Sequence, residues 1–141
     1  NTYTAIIHRE GDFFVALCPE TGTVSQGSSI EEAVENLKEA TELYLEEFPL
    51  SPISRSLITT FEVAPVAAIK PVSGAEAIKI LCKHFGFEVS GRKGSHVRLA
   101  RNAPEGKVGT VIPMHDELAV GTLRNALKLA GVTLEEFEEF L

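Results

Sequence analysis

Residues 73–101, SGAEAIKILCKHFGFEVSGRKGSHVRLAR, predict a helix followed by two strands. Ser73, followed three residues later by Glu76, has the pattern of a capping box, which favours a helix start at Ser73. One face of this helix is apolar at helical spacing, with Ile78, Leu81, Cys82 and Phe85. Gly86 is suited to end the helix, and the segments FEVSG and SHVRLAR that follow are predicted strands.

The chain after this stretch adds one strand and two helices. Residues 106–115, GKVGTVIPMH, predict a third strand, and residues 121–131, GTLRNALKLAG, predict a short helix that ends in glycine. Residues 133–141, TLEEFEEFL, predict a last helix with a capping box of Thr133 and Glu136. The C-terminal module, residues 73–141, is therefore predicted to have the order αβββα followed by an acidic tail helix.

The chain before this stretch predicts a different order, ββαβ. Residues 2–10 and 13–20 are rich in β-branched and aromatic residues and predict two strands joined by a turn. Residues 21–29 predict a loop or an edge strand, and residues 28–48 predict the clearest helix of the chain. Residues 56–66, SLITTFEVAPV, predict a third strand.

The start of the long helix has two registers that fit a capping box. Ser29 with Glu32 is one, and Ser28 with Glu31 is the other. Pro49 is expected to stop the helix. The polar face is rich in glutamate, and a solvated surface is the simplest expectation for it.

The length suits one ordinary domain or two very small ones, and the order of the predicted elements favours an α+β protein of two small domains. The chain has 141 residues, 44% of them hydrophobic, which is enough for a packed core. We predict an N-terminal module at residues 1–66, a linker at 67–72, and the C-terminal module at 73–141. Pro65 and Pro71 make the linker region semi-rigid.

Charge is distributed unevenly along the chain. The net charge is −7, but residues 1–70 hold 11 acidic and 4 basic side chains, whereas residues 71–131 hold 5 acidic and 9 basic ones. The last ten residues add 4 acids and no base. A basic module attracts phosphate backbones, and an acidic module can cover it.

Several classes of protein are not expected from this sequence. No apolar run reaches the length of about 18 residues that a membrane-spanning helix needs, and no signal-peptide pattern opens the chain. Cys18 and Cys82 form no CxxC motif or His/Cys cluster, so we expect no metal site and no cofactor. Two separate thiols fit a reducing cytoplasm, although a disulfide between them remains open.

His96 is the residue with the most interesting chemistry. If residues 95–101 form a strand, alternation places His96 on the same face as Arg98. The residues just before it are basic or small: Arg92, Lys93, Gly94 and Ser95. A histidine surrounded by cations suits metal-free cleavage of a phosphodiester, by moving a proton while the cations stabilise the phosphate. Spacing alone nevertheless favours a simpler interpretation, a surface histidine beside a turn.

The last third of the chain holds further candidates. Thr122 opens the predicted helix at 121–131, where free N–H groups could hold a phosphate, or where Thr122 could simply cap the helix. Arg124 and Lys128 lie four residues apart and form either a basic stripe or a solvated surface. His115 follows a predicted strand and could orient the site or serve only the turn.

A resemblance to a known family favours a functional role for His96 over the simpler interpretation. Residues 72–137 resemble the HicA family of toxins, small ribonucleases that cleave mRNA, through the GSH triplet at 94–96, VIPMH at 111–115 and GTLRNALKLAG at 121–131. The resemblance implies a fold like the double-stranded-RNA-binding domain, with His96 as the catalytic residue. The residues it implies for binding RNA phosphates are Arg92, Lys93, Gly94, Ser95, Arg98, Thr122, Arg124 and Lys128.

The first half of the chain also has a resemblance. Residues 3–66 are similar to the HicB family, the antitoxin of that toxin, which has a partial RNase H fold. We expect no nuclease chemistry here, because Glu10, Asp12 and Glu20 lie at or near turns and do not form a metal-binding cluster. HicB proteins commonly end in a DNA-binding segment, for which this chain has no room, so DNA is not an expected partner.

The two resemblances together predict a fused toxin and antitoxin with RNA as the partner. The acidic N-terminal module is expected to cover His96, either in cis or across a homo-oligomer. The alternative interpretation is a catalytically silent protein that binds RNA or regulates.

Overall fold

The computed structural model describes residues 1–50, 59, 61 and 70–141. The first part of the chain, residues 1–50, contains β1 (Ile6–Glu10), β2 (Phe13–Leu17), β3 (Val24–Gly27) and α1 (Ile30–Leu45). The second part, residues 70–141, contains α2 (Gly74–His84), β4 (Glu88–Lys93), β5 (His96–Ala103), β6 (Gly106–Pro113), α3 (Val120–Leu129) and α4 (Leu134–Glu138). The predicted strand at 56–66, apart from Thr59 and Phe61, and residues 67–69 of the predicted linker fall outside the described residues.

Each part contributes one antiparallel sheet of three strands. The strand orders are β1-β2-β3 and β4-β5-β6, so neighbours in the sequence are neighbours in each sheet. The mixed α+β class predicted from the sequence is confirmed, and two small sheets are compatible with two small domains. The order αβββα of the second part, followed by the tail helix α4, is also as predicted.

Helix starts follow the local capping chemistry. The side chains of Ser29, Ser73 and Thr133 each accept a hydrogen bond from the backbone N–H three residues later. Ser28 instead donates its hydroxyl to the Glu32 carboxylate at 2.9 Å, so the alternative register for the first helix is wrong. The first helix also ends at Leu45, four residues before Pro49.

Strand β3 lies in the segment predicted as a loop or edge strand. It pairs with β2 on one side, and all four of its residues are buried. Its burial comes from α1, which follows it directly, and from the second part of the chain, because β3 also contacts α3 and β6. Local sequence cannot signal this, since Ser25 and Gln26 are polar residues in the middle of a short strand.

One hydrophobic core runs through both parts of the chain. Val15 of β2 and Val24 of β3 belong to the same buried cluster as Leu99, Ile112 and Leu127. Apolar burial on this scale is the main favourable term in folding. The first sheet is therefore packed onto the second part of the chain through apolar contact as well as through polar groups.

Gly109 of β6 permits another close approach between the two parts. A Cβ built on Gly109 would run into the ring of Phe48, which follows α1. The Phe48 ring also stacks on Tyr44, with 4.9 Å between ring centroids. The end of α1 is thus packed directly on the second sheet. No helix in the described part of the chain is long and apolar enough to cross a membrane.

Candidate functional site

The site begins at the hairpin that joins β4 to β5. Lys93 pairs with His96, so Gly94 and Ser95 form a two-residue loop. Gly94 has a φ of +55°, a conformation that residues with a Cβ adopt only with strain. A Cβ at Gly94 would also collide with the carboxylate of Glu39 in α1. This glycine therefore serves both the turn and the approach of α1.

Alternation along β5 separates the site from the core. Val97 and Leu99 belong to the hydrophobic core, whereas His96 and Arg98 point to the face that contacts α1. The predicted sharing of one face by His96 and Arg98 agrees with these contacts. Both residues are buried, His96 completely, with 0% of its surface exposed. The expectation of a surface histidine beside a turn is therefore wrong, because the first part of the chain covers this strand.

Both ring nitrogens of His96 are held by residues of the first part of the chain. Nδ1 lies 2.8 Å from Glu39 Oε1, and Nε2 lies 2.7 Å from Ser25 Oγ. The carboxylate can only accept, so Nδ1 carries a hydrogen, and in the neutral ring Nε2 accepts from the Ser25 hydroxyl. The ring has no free nitrogen to offer a substrate in this arrangement.

Burial and charge act on His96 in opposite directions. Burial lowers the pKa of His96 below its ordinary value of 6.5, and the hydrogen bond and charge of Glu39 partly offset that effect. The hydrogen bond from His96 lowers the pKa of Glu39 in turn. Glu39 also accepts a hydrogen bond from the Ser95 backbone N–H at 3.2 Å. A carboxylate therefore lies against a backbone donor and an imidazole, two groups that could also receive a phosphate oxygen.

Arg98 is the most heavily engaged cation of the site. Its guanidinium donates to the backbone oxygens of Leu43 and Ser90, both at 2.8 Å, and its Nε lies 2.7 Å from Glu47 Oε1. Gly91, opposite Arg98 on β4, gives the guanidinium room, because a Cβ there would lie 2.7 Å from its Nη2. The arginine is thus laid across β4 and fixed against the end of α1.

A second carboxylate lies at the N-terminus of α3. The Gly121 backbone N–H donates to Glu10, with distances of 2.9 and 3.0 Å to the two carboxylate oxygens. A helix N-terminus favours negative charge, so this contact is electrostatically favourable. The anion position predicted near Thr122 is therefore filled by a side chain of β1. Thr122 does not cap the helix, since the N-cap residue is Ala119.

His115 contributes to the packing between the two parts. Its Nδ1 lies 3.2 Å from the amide nitrogen of Gln26, which also donates to the Glu117 oxygen at 3.0 Å. The Gln26 oxygen accepts from the Ala119 N–H at 2.8 Å, which fixes the amide orientation. Burial lowers the pKa of His115. The structural role predicted as one option for His115 accounts for these contacts.

The predicted basic residues are not all in one place. Lys93 lies 4.0 Å from Glu42 at the edge of the hairpin. Arg92 pairs with Val97, so it lies on the opposite sheet face from His96. Arg124 and Lys128 are exposed on α3, consistent with a solvated surface. The structure therefore brings Lys93, Ser95 and Arg98 to His96 but leaves the other cations apart from it.

Sequence reasoning missed the residues that cover the site. Ser25, Glu39 and Glu47 lie far from His96 in sequence, and Lys107, which lies 2.6 Å from Glu47, was treated as part of a strand. The acidic face of residues 28–48 was the one available signal. In residues 1–50, 59, 61 and 70–141 there is no group of three or more side chains of the metal-binding types placed to hold an ion.

Comparison with known proteins gives one match. No curated protein and no solved structure matches the chain significantly. Residues 74–132 match the family model described as HicA toxin of bacterial toxin-antitoxin. These residues run from the start of α2 to just beyond α3 and include the hairpin and His96. Residues 74–132 are therefore similar to the HicA toxin family of bacterial toxin–antitoxin systems.

Proposed function

We propose that the HicA-family domain is a metal-independent endoribonuclease of the mRNA interferase type, with His96 as its general acid or base, held inactive by the N-terminal module. The observation that supports the proposal is that both ring nitrogens of His96 are hydrogen-bonded to the N-terminal module, one to Ser25 and the other to Glu39. Buried polar groups need partners, but here both partners of a family-implied catalytic residue come from outside the matched domain. That arrangement suits an inhibitor better than it suits a catalyst.

The chemistry would need only this chain's own groups. Acting as a base, His96 would take the proton from a ribose 2′-OH, whose oxygen attacks the adjacent phosphorus while the bond to the 5′-oxygen breaks. Acting as an acid, it would give a proton to that leaving oxygen. The products are a 2′,3′-cyclic phosphate and a 5′-hydroxyl. The Ser95 N–H, Lys93 and Arg98 would stabilise the charge on the phosphate.

Inhibition follows from what the N-terminal module contributes. Glu39 takes the Ser95 N–H and Nδ1 of His96, Ser25 takes Nε2, and Glu10 takes the Gly121 N–H at the start of α3. Each contact removes a donor or a base that an RNA phosphate or ribose would use. Covering in cis accounts for all of these contacts within one chain.

The finer identities belong to the same proposal. We infer that residues 1–66 are an antitoxin-like module of the HicB kind with a partial RNase H fold, and that residues 73–141 have a fold like the double-stranded-RNA-binding domain. Two antiparallel strands followed by β3 and α1 are compatible with the first, and the order α2-β4-β5-β6-α3 is compatible with the second. A cytoplasmic location fits RNA as the substrate.

The test is RNA cleavage in EDTA by the full-length chain. The double variant Glu39→Lys with Glu47→Lys places cations against Lys93, Arg98 and Lys107, so like charges push the N-terminal module away. We expect wild type to be silent and the double variant to cleave RNA, leaving 2′,3′-cyclic phosphates detectable by mass spectrometry. Adding His96→Ala should lower that cleavage by about 10²- to 10⁴-fold.

A matched control separates release from added charge. Glu31→Lys with Glu35→Lys makes the same charge change on exposed positions of α1, and it should leave the chain silent. Cleavage that survives His96→Ala would contradict the role of His96.

The alternative, a catalytically silent RNA-binding or regulatory protein, is favoured by a different result. The shared core of Val15 and Val24 with the second part of the chain suits a permanently closed molecule. The catalytically silent alternative would be indicated if the double variant exposed His96 to chemical modification and still cleaved no RNA.

A further inference from the structure

We propose that Arg98 and Lys107 form an RNA phosphate subsite beside His96, which the Glu47 carboxylate occupies in this structure. The proposal rests on the proposed function, because it names where the substrate strand would run past the reacting phosphate. Lys107 was not among the residues predicted to bind phosphate. It enters through the geometry alone.

One carboxylate bridges two cations at this position. Glu47 Oε1 lies 2.7 Å from Arg98 Nε as an ion pair, since the Nε–H is donated to Ser90 Oγ at 3.0 Å, and Glu47 Oε2 accepts a hydrogen bond from Lys107 Nζ at 2.6 Å. The hydrogen bond from Lys107 is the largest of the effects that lower the pKa of Glu47, so the group is an anion here. A phosphodiester has the same charge and the same pair of terminal oxygens, and arginine is suited to receive it.

The two cations belong to the matched domain and the anion does not. Arg98 and Lys107 lie on β5 and β6 within residues 74–132, whereas Glu47 follows α1. Glu46, 3.4 Å from Arg98, and Glu47 are the ion-pair partners of Arg98, and Glu47 is the partner of Lys107, so both cations lose these pairs when residues 1–50 move away. An RNA phosphate is an anion that could then take the place of the carboxylates.

The position fits a strand of RNA that also reaches His96. His96 and Arg98 are two residues apart on one face of β5, which sets their Cα atoms about 7 Å apart. Glu39 engages His96, and Glu47 engages Arg98 and Lys107. Two carboxylates of the same helical region therefore lie in a row along β5, where successive phosphates would lie.

A cleft continues from the subsite and is open to solvent. It has a volume of about 300 Å³ and is lined by residues that include Glu47, Ser90, Arg101, Asn102 and Lys107. That volume is at the lower end of small-molecule sites. In addition, the buried Nε of Arg101 has no hydrogen-bond partner among the residues that the structure describes. The cleft lies beside the pair of Glu47 and Lys107, so solvent reaches this end of the subsite while the N-terminal module is in place.

RNA binding by the full-length chain tests the subsite. All proteins carry His96→Ala, so that the probe, a short fluorescent single-stranded RNA, stays intact. We expect Glu47→Gln to tighten binding and to steepen the fall of log K with log salt by about 0.7 for each cation released to the RNA. Adding Lys107→Gln should reverse about half of that increase.

Glu35→Gln is the matched control, since it removes one exposed charge from α1 and should leave the binding and its salt dependence at the level of the parent. Equal binding by Glu47→Gln and Glu35→Gln would overturn the subsite. If Glu47→Gln melts below the assay temperature, Glu47→Asp, which withdraws the carboxylate by one methylene, takes its place with a smaller expected change in the same direction.

The outcome is independent of whether the chain cleaves RNA. A subsite that binds as expected in a chain that never cleaves would leave this inference standing and remove the proposed ribonuclease activity. Cleavage that depends on His96, with no effect of Glu47→Gln on binding, would do the reverse.

Discussion

The β4–β5 hairpin and the N-terminus of α3 each bind a carboxylate of the N-terminal module, but the two contacts differ in which other groups the carboxylate holds. In both, a carboxylate from residues 1–50 accepts a backbone N–H: Glu39 from Ser95 and Glu10 from Gly121. At the hairpin the carboxylate also fixes a fully buried, titratable imidazole. At α3 it meets only the helix end and the half-exposed His8, 3.5 Å away. The hairpin contact is therefore coupled to burial and pH, whereas the α3 contact is an ordinary interaction with a helix dipole.

The largest expected effect on stability tests the closeness of the hairpin contact. Gly94→Ala should lower the free energy of unfolding by about 3 kcal/mol, because it combines backbone strain with displacement of Glu39 from its hydrogen bonds. Gly11→Ala is the control, since Gly11 has nearly the same φ, +57° against +55°, but nothing within 4 Å of its added Cβ. Urea unfolding measures both. Equal losses would mean that the approach of Glu39 contributes nothing.

The next effect isolates the Glu39 carboxylate. Glu39→Gln should lower the free energy of unfolding by about 1–3 kcal/mol, because it weakens the acceptor that a buried imidazole N–H requires. Glu35→Gln, an exposed position on the same helix, should change stability by less than about 0.5 kcal/mol. The difference in denaturant midpoint between the two variants is the measurement, and a difference near zero would argue against a coupled hairpin contact.

A smaller effect concerns pH. The folded-state pKa values of His96 and His115 are lowered, so the folded chain binds fewer protons than the unfolded chain below pH 6.5, and stability should fall as pH drops from that point. Each histidine contributes at most about 1.4 kcal/mol per pH unit. Thermal melts between neutral and mildly acidic pH measure the slope. His115→Gln should reduce the slope, and a slope unchanged by that substitution would remove His115 from the account.

The smallest effect is expected at α3. Glu10→Gln should lower the free energy of unfolding by about 0.5–1 kcal/mol, because it removes only a charge near a helix N-terminus. This loss should be smaller at high salt, where the charge is screened. Urea unfolding at low and at high salt gives the comparison with Glu39→Gln. A cost at Glu10 as large as at Glu39 would mean that the two regions do not differ as described.

Local patterns accounted for much of the fold. The helix starts at Ser29, Ser73 and Thr133 each depend on a hydrogen bond between residues three positions apart. Both partners of each bond therefore lie in the same short stretch of sequence. The alternation along β5 likewise predicted that His96 and Arg98 share a face. The burial of β3 was not predictable in this way, because its four residues are covered partly by α3 and β6, which follow much later in the chain, as well as by α1.

The candidate site was predictable only in part. The GSH triplet pointed to His96 through resemblance, and the cations around it followed from composition. Arg92 was grouped with His96 because the two are close in sequence, yet strand pairing turns it to the other face. Proximity along a strand does not distinguish its two faces until the register is known.

By itself, the sequence determined most of the helices and strands, the caps at Ser73 and Thr133, the separation of an acidic from a basic half, and the match of residues 74–132 to a toxin family. Only the tertiary structure decided what His96 touches. Its two partners lie 57 and 71 residues earlier in the chain, and contacts at that separation depend on how two sheets pack and not on any local preference. The same holds for the Glu47 bridge between Arg98 and Lys107, because a charge on a helix surface has no assigned counter-ion until another element is folded against it.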